Sequence, residues 1–171
     1  MSRSLVPALA LAMLVSATAL SGADRRIELE VVVTATVADV WAAWTTVDGV
    51  KSFFAGGANI EPKPDGAYEI FFDMSQPEGR RGADGMRILV FEPPHRLAFT
   101  WNAPEKFPNA RRQRTRVTIT LSAVGEGRTR VALAHDGFGD TEEWQNVQAY
   151  FTKAWGGVVL PRLKERFERT R

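Results

Sequence analysis

The chain has 171 residues, with 22 Lys and Arg residues against 20 Asp and Glu residues, and it contains no cysteine. This length suits one ordinary domain with a single core, and the absence of cysteine excludes a disulfide framework and thiol chemistry. The net charge of only +2 gives no reason to expect a nucleic-acid-binding protein, which usually presents a clustered basic face. The most basic run, ARRQRTR at residues 110–116, is interpreted as the solvated face of a strand, with contact to an acidic partner or an anionic lipid surface as the alternative.

Residues 1–23 have the layout of a secretory signal peptide. An arginine precedes an apolar run over residues 5–20, and small residues follow at 21–23. The run is shorter than the roughly 18 residues of a membrane-spanning helix, and Pro7 interrupts it. We therefore predict an exported protein, periplasmic or extracellular, with no stable membrane span after cleavage and a single domain over residues 24–171. An uncleaved membrane anchor is the alternative.

The first elements of the domain are a strand and two helices. Alternation of apolar and polar residues over 27–35 predicts the strand. Trp41 and Trp44 then follow helical spacing, which predicts a first helix. We expect a second, short helix that starts at Asp48 and ends before Gly56.

Six strand candidates follow, separated by turn sequences such as PKPDG, PEGRRGADG, PPH and GEG. They cover residues 59–61, 67–73, 85–92, 96–102, 114–124 and 128–136. Such close spacing favours antiparallel hairpins over parallel crossovers.

The last element is predicted to be one long amphipathic helix from Asp140 onward, with apolar residues at helical spacing. Gly156, Gly157 and Pro161 interrupt it, and we expect the two glycines to leave room beneath the helix. The sheet must bury one face, and this helix is the only predicted element long enough to cover it. The sequence therefore predicts an α+β fold, with a curved antiparallel sheet of about seven strands around a long C-terminal helix.

The order of these elements, together with the runs VWAAWT, GGANIEPKPDGAYEI, VFEPPHRLAFTW and KAWGGVVLPRLKER, resembles the START-like helix-grip superfamily, also called SRPBCC. Within it the chain is most similar to the branch named for homology to the activator of the heat-shock protein 90 ATPase. The resemblance covers roughly residues 27–169. It implies an elongated cavity between the sheet and the C-terminal helix. Members range from lipid carriers to aromatic cyclases and co-chaperones, so the fold alone does not assign a function.

The implied cavity suggests that aromatic side chains on the inner face of the sheet contact a ligand. The alternation in RLAFTW turns Phe99 and Trp101 to one side, the side expected to face the helix. The predicted ligand-binding residues are Tyr68, Phe72, Phe99, Trp101, His135, Phe151 and Trp155. A filled core, in which the same rings interdigitate, is the alternative.

His135 is the polar residue of most interest, because it is in phase with Val131 and Leu133 and should point inward. It is interpreted as a neutral histidine bonded within the core, as a ligand anchor, or as a general acid or base, which would need a second titratable group within reach. The chain has two histidines and no helix-spaced ligand pair, so we predict neither a metal site nor a cofactor. A Gly-x-Ser-x-Gly elbow is absent from the sequence, and we assign no catalytic residue.

The sequence favours an exported binding protein that holds a small hydrophobic or aromatic molecule, rather than an enzyme. One alternative is a cyclase or dehydratase-like enzyme that acts on an aromatic or polyketide substrate. The other is a co-chaperone-like module that binds a protein. This last interpretation is weakened because the eukaryotic co-chaperone has a further N-terminal domain and a cytosolic client. No nucleic acid is expected as a partner, and the sequence names no protein partner.

Overall fold

The computed structural model describes residues 25–169, and the predicted signal peptide lies outside these described residues. The strands are β1 (Ile27–Val33), β2 (Gly57–Ile60), β3 (Tyr68–Phe71), β4 (Gly82–Ala83), β5 (Ile88–Glu92), β6 (Arg96–Trp101), β7 (Thr115–Ala123) and β8 (Thr129–Asp136). The α-helices are α1 (Val37–Thr45), α2 (Val47–Lys51), α3 (Glu142–Ala154) and α4 (Leu160–Glu168). A 3-10 helix at Ala110–Arg112 precedes β7, and a π-helical segment at Trp155–Val159, called the π turn below, joins α3 to α4.

The strands form two antiparallel sheets, a five-stranded one in the order β1-β8-β7-β6-β5 and a three-stranded one in the order β2-β3-β4. Chain neighbours β6, β7 and β8 pair as hairpins, as predicted. The α+β fold with a curved antiparallel sheet and a long C-terminal helix is therefore confirmed. Within residues 25–169 there are eight strands rather than about seven, because the two-residue β4 is too short to show an alternation in the sequence.

Alternation along β7 and β8 decides which side chains face the helix. Val117, Ile119 and Leu121 of β7 are buried, as are Val131 and Leu133 of β8. In the pairing register Ile119 lies opposite Leu133, and Leu121 lies opposite Val131. A slip by one residue would turn this whole set to solvent, so the apolar pattern fixes the register.

Threonine caps fix where α1 and α3 begin. The hydroxyl of Thr36 accepts a hydrogen bond from the backbone N–H of Asp39, and that of Thr141 accepts one from the N–H of Trp144. Each cap satisfies a donor that has no partner inside the helix and contributes about 1 kcal/mol. The start of α3, and with it the position of its apolar side chains over the sheet, is thereby fixed.

The C-terminal helix widens at the π turn, where the N–H of Leu160 bonds to the carbonyl of Trp155, five residues back. Pro161 explains the widening, since it has no N–H for the carbonyl of Gly157 and its ring would clash with that carbonyl in a regular α-helix. The predicted interruption of the helix is confirmed and takes the form of a local widening. Trp155 and Val159 both remain buried.

Candidate functional site

A pocket of about 530 Å³ lies between the C-terminal helix and the sheet, beside the end of β6. Its apolar wall is formed by Phe54, Phe72, Trp101, Tyr150, Phe151, Trp155, Val158 and Val159. This volume falls within the roughly 300–1,000 Å³ that is typical of small-molecule sites. The wall combines residues that are far apart in the chain, from the segment after α2 to the π turn.

Trp101 and Trp155 form the centre of the wall, with ring centroids 5.7 Å apart. The ring of Phe54 lies 5.9 Å from that of Trp101 and 5.5 Å from that of Trp155. Phe151 stacks on Trp155, with ring centroids 6.3 Å apart. Because these rings pack against one another, the wall is preformed by the fold itself.

Four of the predicted ligand-binding residues line the pocket, namely Phe72, Trp101, Phe151 and Trp155. Their contact with a ligand stays a prediction. Phe72 was expected to point inward; it does line the pocket, but 53% of it is exposed. The strand β3 ends at Phe71, so Phe72 lies just beyond the paired strand. Phe72 therefore lies at the pocket mouth.

Tyr68 and Phe99 lie behind the wall, outside the lining of the pocket. Both are fully buried, and their rings stack with centroids 4.2 Å apart. The hydroxyl of Tyr68 donates to the backbone carbonyl of Trp44 at 2.9 Å. Burial raises the pKa of this hydroxyl, so the group stays protonated and keeps that hydrogen bond. The two residues form a satisfied part of the core.

His135 is fully buried, as predicted for its strand phase, and it also lies outside the pocket lining. Its Nδ1 accepts a hydrogen bond of 3.0 Å from the indole N–H of Trp155, which can only donate. The proton therefore sits on Nε2, which donates to the hydroxyl of Thr115 at 2.7 Å. Burial lowers the pKa of His135 to about 3. The imidazole is neutral at physiological pH, and neither nitrogen is free for a ligand.

A buried hydrogen-bond chain runs through His135 and ends at both tryptophans of the wall. It begins at the side chain of Trp155, passes through His135 to Thr115, and continues from the Thr115 hydroxyl to the backbone carbonyl of Trp101 at 3.3 Å. Each polar group in it has a partner, so burial carries no penalty for an unmade hydrogen bond. This hydrogen-bond chain holds the wall in position and does not itself contact a molecule in the pocket.

The pocket also has a charged rim, which the sequence interpretation missed. The rim consists of Asp73, Arg80, Arg81, Glu105, Arg111 and Arg162. The run PEGRRGADG was interpreted as a turn and ARRQRTR as a solvated strand face, and each does hold a pair of adjacent arginines. These arginine pairs are the only sign of the charged rim in the sequence. They do not indicate that the two stretches meet at one pocket.

Gly156 and Gly157 do not open the pocket, contrary to the prediction. A Cβ atom added to Gly156 would lie 3.5 Å from Cδ1 of Leu29, and one added to Gly157 would meet no atom within 4 Å. The glycines thus face β1 and solvent, while Val158 and Val159 line the pocket. The prediction failed because the π turn rotates the following residues relative to a regular helix, which the apolar spacing did not reveal.

Among the helices of residues 25–169, none combines the length and the apolar content needed to cross a bilayer. Over the same residues, His, Asp and Glu side chains do not gather in a group of three or more that could hold a metal ion.

A family model described as Activator of Hsp90 ATPase homolog 1-like protein matches residues 34–168 of the chain. This match confirms the predicted resemblance. No curated protein matches the sequence.

Solved structures share the fold. A protein from Mesorhizobium loti has a TM-score of 0.68 at 20% identity, covering 86% of this chain and 99% of its own. The Aha1 dimer from Colwellia psychrerythraea has a TM-score of 0.64 at 20% identity, covering 84% and 96%. An HSP90 activator from Plasmodium falciparum has a TM-score of 0.61 at 14% identity, covering 81% and 92%. At these identities the likeness establishes the fold alone.

Proposed function

The chain belongs to the family of activator of Hsp90 ATPase homolog 1-like proteins, and from this premise we propose that its pocket holds a small hydrophobic or aromatic molecule. The observation that carries the proposal is the pocket of about 530 Å³ with aromatic rings along its wall. Burial of apolar ligand surface against such a wall contributes about 25 cal/mol per Å². Aromatic ligands gain further from offset and edge-to-face contacts with the rings.

The wall supports this proposal because it is held in place without a ligand. The buried hydrogen-bond chain through His135 and Thr115 ties the indole of Trp155 to the backbone of Trp101. A site that is already ordered loses little conformational freedom when a ligand binds, so more of the contact energy becomes affinity.

Binding of a neutral apolar dye such as Nile red, followed by fluorescence titration, tests the proposal. Val158→Asp places a charge on the apolar wall, so we expect it to weaken dye binding at least tenfold, because that charge must be desolvated against an apolar ligand. Val32→Asp is the matched control, since Val32 is 38% exposed and Val158 is 40% exposed, and Val32 lies outside the pocket. Failure of the unaltered protein to bind the dye would refute the proposal, as would equal losses in the two variants.

The titratable groups that line the pocket within residues 25–169 do not include a carboxyl group that could act as a general acid at neutral pH. Hydrogen bonds from Ser75 and Gln76 hold the pKa of Asp73 below its usual range, and hydrogen bonds from Arg80 do the same for Glu105. Both carboxyl groups are therefore ionised at neutral pH and have no proton to donate as a general acid. These two groups therefore do not support a cyclase or dehydratase-like reaction that depends on a carboxylic acid as its general acid.

A protein-binding role is the second candidate, and two exposed apolar residues favour it. Phe72 is 53% exposed and Met74 is 55% exposed, although large apolar side chains are costly to leave in water. Family membership suggests an Hsp90 ATPase as the partner. Measuring the ATPase rate of an Hsp90 protein with the chain and with its Phe72→Ser/Met74→Ser variant tests this role. The protein-binding role predicts that the unaltered chain stimulates the ATPase rate and that the variant does not.

We also propose that the domain acts after export, on the basis of the signal-like pattern at residues 1–23. Mass spectrometry of the protein from its source cells should give a mature chain that begins near Asp24. A mass that includes residue 1 would contradict cleavage.

A further inference from the structure

The pocket offers hydrogen-bond donors that no other group within residues 25–169 satisfies. The indole N–H of Trp101 donates no hydrogen bond there, and the guanidinium of Arg162 forms neither a hydrogen bond nor an ion pair. Arg111 uses two of its five N–H donors, which leaves three. Donors concentrated in this way are complementary to a ligand that supplies acceptor oxygens.

Arg111 is held in position by backbone carbonyls and not by a carboxylate. Its Nη1 donates to the carbonyl of Ala103 at 2.6 Å, and its Nη2 donates to the carbonyl of Gly82 at 3.2 Å. Glu105 lies near enough for the charge of Arg111 to help lower its pKa, but the hydrogen bonds of Glu105 go to Arg80. Arg111 thus presents an oriented cation whose remaining donors have no partner.

The charges around the rim leave one positive charge uncompensated. Arg80 forms a bidentate pair with Glu105, with both N–O distances at 3.1 Å, and Arg81 pairs with Asp84 at 3.5 Å. Asp73 is bonded to neutral groups of its own loop. Counting Asp84, which lies outside the pocket lining but pairs with Arg81, four arginines stand against three carboxylates. The excess matches one anionic group on an occupant.

We propose that the ligand is an amphipathic acid, with an apolar aromatic or aliphatic body and a single carboxylate. The body lies against Trp101 and Trp155, and the carboxylate binds at the rim, where Arg111 and Arg162 supply charge-assisted hydrogen bonds. This inference rests on the proposed function and adds the chemical class of the ligand. Most of the ligand's surface is apolar, and its acid group decides its orientation in the pocket.

A matched pair of ligands, 2-naphthoate and the neutral 2-naphthamide, tests the charge requirement by isothermal titration calorimetry at pH 7.5. We expect the carboxylate to bind at least tenfold more tightly than the amide. The preference should shrink as salt is added, because the rim is open to solvent and its charges are screened. Equal affinities would overturn this inference and leave the proposed function intact. Binding of neither ligand, nor of Nile red, would overturn both.

Two variants in α4 test whether the carboxylate binds at a specific arginine. Arg162→Gln should weaken naphthoate binding about tenfold and leave naphthamide binding unchanged. Lys164→Gln removes an equal charge from the same helix, at a side chain that pairs with Glu168 and lies outside the pocket, so it should change neither affinity by more than about twofold. Equal effects of both variants on naphthoate would show attraction by net charge alone and would overturn the inference.

Arg111→Gln tests the second arginine that is proposed to bind the carboxylate. It should reduce the affinity for naphthoate more than Arg162→Gln does, because Arg111 is oriented before the ligand binds. Circular dichroism checks that this variant folds, since it also loses two hydrogen bonds to the backbone. A folded Arg111→Gln protein with unchanged naphthoate affinity would contradict the assignment of Arg111.

Discussion

The space between the sheet and the C-terminal helix has a closed end and an open end, although aromatic residues line both. At the closed end, the ring of His135 lies 4.6 Å from that of Phe138 and 4.7 Å from that of Phe151, and both of its nitrogens are bonded. At the open end, the indole N–H of Trp101 and most donors of Arg111 have no partner within residues 25–169. Aromatic rings are present at both ends, so the unsatisfied donors are what mark the ligand site.

The largest expected effect comes from truncating one aromatic residue at each end. Phe99 is fully buried, so Phe99→Ala should lower the free energy of unfolding by about 3–5 kcal/mol. Phe72→Ala should lower it by less than about 1 kcal/mol, because its ring is half exposed at the pocket mouth. Urea unfolding measures both. Similar losses would mean that the open end is packed as core.

A second test uses pH to probe the closed end. The unfolded chain protonates His135 near its ordinary pKa of 6.5, whereas burial lowers the folded pKa to about 3. Between these values the unfolded state binds more protons, so stability falls as the pH falls. From pH 6.5 to pH 4.5 the loss should be about 2 kcal/mol, because the slope rises from about half to nearly the full value of roughly 1.4 kcal/mol per unit over this range.

The controls for this pH dependence are two glutamine variants. His135→Gln removes the buried titrating group, so most of the slope between pH 6.5 and pH 4.5 should disappear. His95→Gln replaces an exposed histidine and serves as the matched control for loss of one imidazole. A slope that survives in His135→Gln would contradict the assignment of the closed end as the pH-sensitive region.

The smallest expected effect concerns the helix above the open end. Gly157→Ala adds a Cβ into open space and should raise the free energy of unfolding by about 0.5–1 kcal/mol, with ligand binding unchanged. Gly49→Ala is the contrasting control, because its Cβ would lie 2.7 Å from the Cα of Ala43 and must displace backbone. Weaker dye binding by Gly157→Ala would contradict this expectation and would indicate that Gly157 makes room for the ligand.

The sequence by itself determined which faces of the elements are buried. Alternation in β7 and β8 identified Val117, Ile119 and Leu133 as core, and the same periodicity placed His135 inside. These assignments are local, because side chains in a strand alternate whatever lies around it. The resemblance to the family then supplied the overall arrangement, which the structure confirms.

The candidate site was only partly predictable, and Phe72 shows one reason. Its exposure depends on where β3 ends, and that end depends on pairing with β4, which no alternation revealed. The sequence also could not separate Trp101, which lines the pocket, from Phe99, which lies behind it. Both have the same strand phase, and the difference arises from what packs against each ring.

The tertiary structure alone decided the charge and shape of the pocket. Arg80, Arg111 and Arg162 come from a loop, a 3-10 helix and α4, and only the packing of α4 over the sheet brings them to one rim. The π turn likewise sets which of Gly157 and Val158 faces the pocket. Local patterns report burial because burial follows one element's periodicity, whereas a site depends on the relative placement of several elements, and that placement is set by long-range packing.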